Sequence, residues 1–279
     1  MRLAFSTLGM PGLPLSEVAT LVAGGGFHGV ELRVHPEEPV HTGLRLTQRV
    51  DVVEEFKEAG VEILALAGYA RVAEAGEDEP VLDEVRALAE LARDLGARAV
   101  RVFPGGGEQS QEEADATAAR RLARCAPLAA DLGVRLLLET HDSHASAAAA
   151  ARVAARVDHP SVGVLWDTLH TWRAGETPAE SYTALHGHLG YTQVKDAPSR
   201  EDTTPLPPGE GTVPLDEVVR AVCASEPPGE FGTGAWLCWE YEKRWFAEVP
   251  SAAPLLAEVA RHLRGLHASA VGEPPLTEA

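Results

Sequence analysis

Val134-Arg135-Leu136-Leu137-Leu138-Glu139 is an apolar run that stops on a carboxylate, and the pattern returns where Ser161–Trp166 meets Asp167, Gly190–Thr192 meets Gln193 and Trp236–Trp239 meets Glu240. Polar residues rather than a hairpin turn follow each run, so neighbouring runs are not the two arms of a hairpin. In a parallel (β/α)8 barrel the C-terminal ends of all strands open on one face, and side chains far apart in sequence converge there. Four oxygen-bearing side chains at such ends therefore predict a metal site in the mouth of a barrel. A single acidic residue after a strand is ordinarily a solvated carboxylate or a helix cap. Recurrence at successive strand ends carries the prediction.

The rest of the chain fits that frame. Strand-like segments lie near Leu3–Ser6, Gly29–Leu32, Glu62–Leu66, Ala99–Phe103, Arg135–Leu138, Val162–Trp166, Tyr191–Val194 and Trp236–Trp239. Helical patterns alternate with them near Leu15–Ala23, Thr47–Ala59, Val81–Leu95, Gln111–Leu132, Ala145–Ala155, Pro178–Gly187, Leu215–Ala224 and Ala252–Leu266. Such alternation is the signal of βα units around a parallel sheet. Three helices close on the same device, Ala59-Gly60-Val61, Leu95-Gly96-Ala97 and Leu132-Gly133-Val134, where glycine suits the left-handed position after the last turn. With 279 residues, and α/β barrels using about 250 as one domain, the expectation is a single-domain (β/α)8 TIM barrel over 1–267. Residues 268–279 read as a flexible C-terminal tail. The long irregular stretch from Asp196 to Val213, rich in Pro and Gly, predicts a functional loop.

A formal net charge of -18 excludes a nucleic-acid partner, because phosphate binding needs clustered Lys and Arg. It says little about small substrates, since a metal or a local Arg offsets a global field. Cys125, Cys223 and Cys238 are odd in number and lack CxxC spacing, which suits a reducing compartment. No signal-like segment and no apolar run of about 18 residues is present, so no membrane partner and a cytoplasmic location are expected. The exposed helices and tail allow a homodimer.

Period-two alternation says which side chains share a face. Leu137 with Glu139, Tyr191 with Gln193 and Lys195, and Cys238 with Glu240 and Glu242 point the same way, which turns Glu139, Gln193 and Glu240 inward at the mouth. Glu242 competes with Glu240, which is favoured because it ends the apolar run. His141 and His144 are both open, since strand alternation can turn His141 into the same mouth as Glu139. His28, His159, His186 and His188 read as structural or solvated. Gly105-Gly106-Gly107 lacks the Lys-Ser/Thr of a phosphate cradle and reads as a loop. Trp166, Trp172 and Trp245 suit either a pocket floor or the core.

Taken together, Gly29-Val30-Glu31-Leu32-Arg33, Leu138-Glu139-Thr140-His141, Val164-Leu165-Trp166-Asp167-Thr168-Leu169-His170, Tyr191-Thr192-Gln193-Val194-Lys195-Asp196, Gly209-Glu210-Gly211 and Trp239-Glu240-Tyr241-Glu242 resemble, in order and spacing, the xylose isomerase-like TIM barrels, a family of sugar and sugar-phosphate isomerases and epimerases. The resemblance spans roughly Arg2 to Leu266. It implies that Glu139, Asp167, Gln193 and Glu240 are metal ligands, that Glu139 and Glu240 handle protons, and that His170, Lys195, Arg200 and His141 contact substrate. Gln193 departs from the histidine found there in most of the family. An amide oxygen still coordinates, and an all-oxygen set favours Mn²⁺ or Mg²⁺, with Co²⁺ or Zn²⁺ as alternatives.

The expected chemistry is isomerisation or epimerisation of a small sugar-like polyhydroxy carbonyl compound through an enediolate, with one divalent ion polarising the carbonyl. One alternative is a metal-dependent dehydratase of a dehydroshikimate- or inosose-like substrate, in which a histidine protonates the departing hydroxyl; some relatives with Gln at this position are such enzymes. Phosphodiester hydrolysis on this fold needs more histidine ligands and DNA affinity, and the acidic chain argues against it. A barrel that binds a sugar without turnover is the non-enzymatic alternative.

Overall fold

The computed structural model describes residues 1–224 and 236–272. Eight parallel strands, β1 (Arg2–Ser6), β2 (Gly29–Arg33), β3 (Glu62–Arg71), β4 (Ala99–Phe103), β5 (Arg135–Glu139), β6 (Val162–Asp167), β7 (Leu189–Val194) and β8 (Trp236–Trp239), form a closed barrel in sequence order. β8 closes on β1 through Leu3 opposite Leu237 and Ala4 opposite Cys238. Around it run α1 (Leu15–Gly24), α2 (Leu46–Glu58), α3 (Asp78–Leu95), α4 (Gln111–Asp131), α5 (Ala147–Val157), α6 (Thr168–Arg173), α7 (Pro178–Leu185), α8 (Leu215–Cys223) and α9 (Leu256–Val271).

Alternation along the strands divides the core in two. Ala4, Ala65, Ala99, Leu137, Leu165, Tyr191 and Cys238 pack inside the barrel. The outward-facing residues, such as Val30, Leu136, Leu138 and Val164, join the helices in the larger core. Two residues beyond each inward apolar residue the same face meets the mouth.

The three glycine stops behave as their sequence predicts. Gly60, Gly96 and Gly133 have φ of 69°, 69° and 68°. After each, the next amide donates back into the helix, Val61 to Phe56, Ala97 to Ala92 and Val134 to Ala129, all at 2.9 Å. That is the 6→1 bond of a Schellman end.

Four features differ from the sequence reading. The short helix α6 was not foreseen; it begins at once after β6 because Asp167 Oδ1 accepts from the amides of Leu169 (2.9 Å) and His170 (3.4 Å). β3 runs on to Arg71. α5 starts at Ala147, because Asp142–His144 form a separate 3-10 turn with Asp142 at φ 43°. α9 continues past the 267/268 boundary to Val271, so that part of the expected tail is helical; residues 273–279 lie outside the described residues.

The stretch from Asp196 to Val213 is organised by one carboxylate. Asp196 accepts from the amides of Ala197, Gly209, Gly211 and Val213 at 2.8–3.1 Å. All three cysteines are free. No helix among the described residues is long and apolar enough to cross a membrane.

Candidate active site

The polar layer at the mouth grows out of the apolar one beneath it. Glu139 stands two residues beyond Leu137, Asp167 beyond Leu165, Gln193 beyond Tyr191 and Glu240 beyond Cys238. All four are buried, and Asp167 and Gln193 are register partners on adjacent strands. The same rule places two charged residues that the sequence reading did not single out. Glu31 lies beyond Gly29 on β2, and Arg101 beyond Ala99 on β4. A charged residue inside the otherwise apolar Ala99-Val100-Arg101-Val102-Phe103 was the available signal.

Arg101 Nη1 donates to Glu139 Oε2 at 2.7 Å, and its guanidinium lies over Phe103 at 4.0 Å. Lys195 enters between the other acids. Its ammonium contacts Asp167 Oδ2 at 2.8 Å, Glu242 Oε1 at 2.7 Å, and Glu240. Gln193 turns its Nε2 toward Glu31 Oε1 and Oε2, at 3.1 and 2.9 Å, and toward Glu240 Oε1 at 3.2 Å. Tyr191 donates its phenol to Glu31. His141 and His170 stand ring against ring, centroids 4.2 Å apart, with His141 also against Phe103.

Burial sets the electrostatics. It pushes the Glu31 carboxyl up to about 7, reinforced by Glu240 and opposed by Arg101. It also raises Glu139 against the pull of Arg101 and His141. Burial works upward on Asp167 too, but Lys195 and His170 outweigh it and hold that carboxyl below its ordinary value. His170 is driven down to about 4 by burial, with Lys195 and His141 adding to the effect. For His141 burial acts downward, yet the hydrogen bond to Asp142 and the charge of Glu139 leave it raised. Lys195 is raised well above its usual value because its carboxylates outweigh desolvation.

The residues present suit a cation. Glu31, Glu139, Asp167 and Glu240 face Arg101 and Lys195, each of the six no more than 4% exposed, which leaves two more buried carboxylates than cations. Uncompensated buried charge is costly, and a divalent ion would balance it. Gln193 Oε1 is buried with no hydrogen-bond partner. Glu139, His141 and His170 form a second candidate set, with one ligand atom of each within 4.8 Å of the others. It joins one expected ligand to two residues expected to contact substrate.

A cavity of about 260 Å³ opens on this layer, lined by Arg33, Tyr69, Arg71, Arg101, Phe103, Glu139, His141, Lys195, Glu240 and Trp245 among others. Arg200 is not on its wall; it is exposed, with its guanidinium over Trp172 at 5.2 Å. Trp166 is core, its Nε1 donating to Thr171, while Trp245 is 55% exposed at the cavity rim. His28 and His159 accept backbone amides, and His186 bonds the carbonyl of Thr183. His144 is buried against Asp115 at 3.0 Å.

Comparison with known proteins places the chain in a family. The chain is 22% identical to the 3-dehydroshikimate dehydratase of Bacillus anthracis over 231 residues, 75% of this chain and 82% of that one. Among solved structures, the IOLI protein with a bound zinc atom superposes with a TM-score of 0.76 at 19% identity, covering 98% of each chain. D-psicose 3-epimerase of Clostridium cellulolyticum H10, solved with D-tagatose, gives 0.78 at 12% identity, covering 96% of this chain and 99% of that one. At these identities the two structures share the fold. The xylose isomerase-like TIM barrel model matches residues 19–266, and the chain belongs to that family.

Proposed function

We propose that this chain is a metal-dependent dehydratase of a small, carboxylate-bearing polyhydroxy carbonyl compound of the dehydroshikimate kind. The observation that carries the reading is one cation on the cavity wall: Arg33, Arg71, Arg101 and Lys195 stand there among Glu139, Asp142, Glu240 and Glu242, and Arg33 is paired with Glu38, Arg101 with Glu139 and Lys195 with Glu240, which leaves Arg71. A guanidinium open to the cavity suits a substrate carboxylate better than a neutral sugar. Arg71 is the most available of the four, 60% exposed with its nearest acid, Glu74, 3.8 Å away. The similarity to the Bacillus anthracis dehydratase supports the same choice.

Glu139, Asp167, Gln193 and Glu240 would hold the ion, and their oxygen donors favour Mg²⁺ or Mn²⁺; a site at Glu139, His141 and His170 would instead favour Zn²⁺. A bound divalent ion supplies Lewis-acid polarisation of the substrate carbonyl. Glu139 takes the proton from the carbon beside that carbonyl. The electron pair of the broken C–H bond forms the new C=C bond as the β C–O bond breaks, and His141 protonates the departing hydroxyl, which leaves as water. Arg101 holds Glu139 in place, and Lys195 holds Asp167 and Glu240.

Isomerisation or epimerisation is the second reading. It asks two carboxylates to exchange protons with one carbon skeleton, where the dehydratase asks only Glu139, and the second, Glu240, is held by Lys195. The deciding experiment incubates Mn²⁺-loaded protein in D₂O with dehydroshikimate and, separately, with ketoses. Water loss to an aromatic catechol acid supports the dehydratase. Deuterium in recovered or epimerised ketose with no dehydration overturns it in favour of the second reading. Arg71→Leu should raise KM several-fold for the acid with little change in kcat.

A further inference from the structure

Glu31 is a carboxylate that neither the expected ligand set nor the proton transfers use. It is fully buried in the middle of β2, two residues beyond Gly29. Both of its oxygens accept from Gln193 Nε2, which also reaches Glu240. Glu31 also accepts from the Tyr191 phenol and Glu240 from the Lys195 ammonium, so two acids already acting as acceptors draw the nitrogen end of the amide toward them. The other end, Gln193 Oε1, is buried and has no hydrogen-bond partner. A buried carbonyl oxygen left so is unfavourable, and a cation is the partner that the surplus of carboxylates in this layer requires.

We propose that Glu31 is a positioning residue for the cation site: it holds the Gln193 amide by its nitrogen and so leaves the carbonyl oxygen to the ion. The inference rests on the metal-dependent reading above. Glu31 does for an amide ligand what a carboxylate behind a metal-bound histidine does for imidazole, fixing which atom is presented.

The test needs no substrate. Mn²⁺ is titrated into metal-stripped protein and free Mn²⁺ is read by electron paramagnetic resonance, with circular dichroism confirming the fold of each variant. Glu31→Gln should weaken Mn²⁺ binding by about 10- to 100-fold, the usual effect of losing a residue that orients a ligand. In a Gln193→Ala background the same change should add little. Glu31→Asp keeps the charge but withdraws the carboxylate from the amide; it should weaken binding in the same direction, and it serves if Glu31→Gln does not fold. Unchanged affinity in either variant overturns the proposal. So does an equal loss in the Gln193→Ala background, which would make Glu31 a source of charge alone. Wild-type protein that takes up no Mn²⁺ removes the metal-dependent reading itself, whereas uptake by wild type with unaltered Glu31 variants removes only the role of Glu31.

Discussion

Replacing Arg101 by leucine should unfold the protein more readily by an amount that depends on pH. The Arg101 and Glu139 side chains are 5% and 1% exposed, with nitrogen and oxygen 2.7 Å apart. Removing one partner of such a pair strands the other charge and costs about 3–5 kcal/mol. Here the layer already carries more carboxylates than cations, and the cation–π contact with Phe103 is lost as well. At roughly 2–4 °C per kcal/mol for a chain near this size, the midpoint should fall by on the order of 10 °C. The pH dependence follows from Glu139, whose folded pKa is raised above 4.5 by burial even with Arg101 present. Without Arg101 it rises further, so the folded variant holds a proton that the unfolded chain releases. That contribution is fully present below pH 4.5 and is lost as pH climbs through the folded value. The deficit relative to wild type should therefore be small near pH 4.5 and largest at pH 8. Urea unfolding of both proteins across that range measures it. A loss under about 1 kcal/mol at pH 8, the scale of an exposed pair, or a deficit that ignores pH, would refute the reasoning.

Two further outcomes test the loops around the mouth. A Cβ on Gly211 would sit 2.2 Å from Asp196 Oδ1 and 2.4 Å from the Ala197 carbonyl, so Gly211→Ala should cost about 1–3 kcal/mol by overpacking; an unchanged urea midpoint would show that the Asp196 turn gives way freely. Burial lowers the folded pKa of His144 below 6.5, although Asp115 pulls upward. The unfolded chain then binds the proton first, so stability present above pH 6.5 is lost as pH falls through the folded value. The midpoint of wild type should drop more steeply between pH 7 and 5 than that of His144→Gln, and equal slopes would contradict this.

Strand positions and inward faces were legible because both follow from period-two alternation, which needs no tertiary knowledge. Leu137, Tyr191 and Cys238 line the barrel interior as their spacing from Glu139, Gln193 and Glu240 requires. The glycine stops were legible for a similar reason, since a left-handed position excludes most other residues at local cost. What escaped was pairing across strands. Nothing in Ala99–Phe103 alone says that Arg101 meets Glu139, 38 residues on, and nothing in the β7 pattern says that Lys195 enters among Asp167, Glu240 and Glu242. Arg200 shows the converse limit, because a loop position matched by resemblance carries no information on where its side chain points. The α6 helix was hidden by its brevity, and only the double use of Asp167, as cap and as mouth carboxylate, marks where it starts.

The layering also accounts for how one strand can serve the site in two opposed ways. Along β7 the inward face reads Tyr191, Gln193 and then, just past its end, Lys195. Tyr191 fills the apolar layer and sends its hydroxyl up to Glu31; Glu31 in turn takes the Gln193 amide nitrogen. Lys195, one alternation higher, supplies charge to Asp167 and Glu240. A histidine at 193 would offer a nitrogen to the site and make it softer; glutamine keeps every expected donor an oxygen. On the role proposed for Glu31, an amide at position 193 gives its nitrogen to Glu31 and its oxygen to the ion, whereas a glutamate there would set a further carboxylate against Glu31 and Glu240.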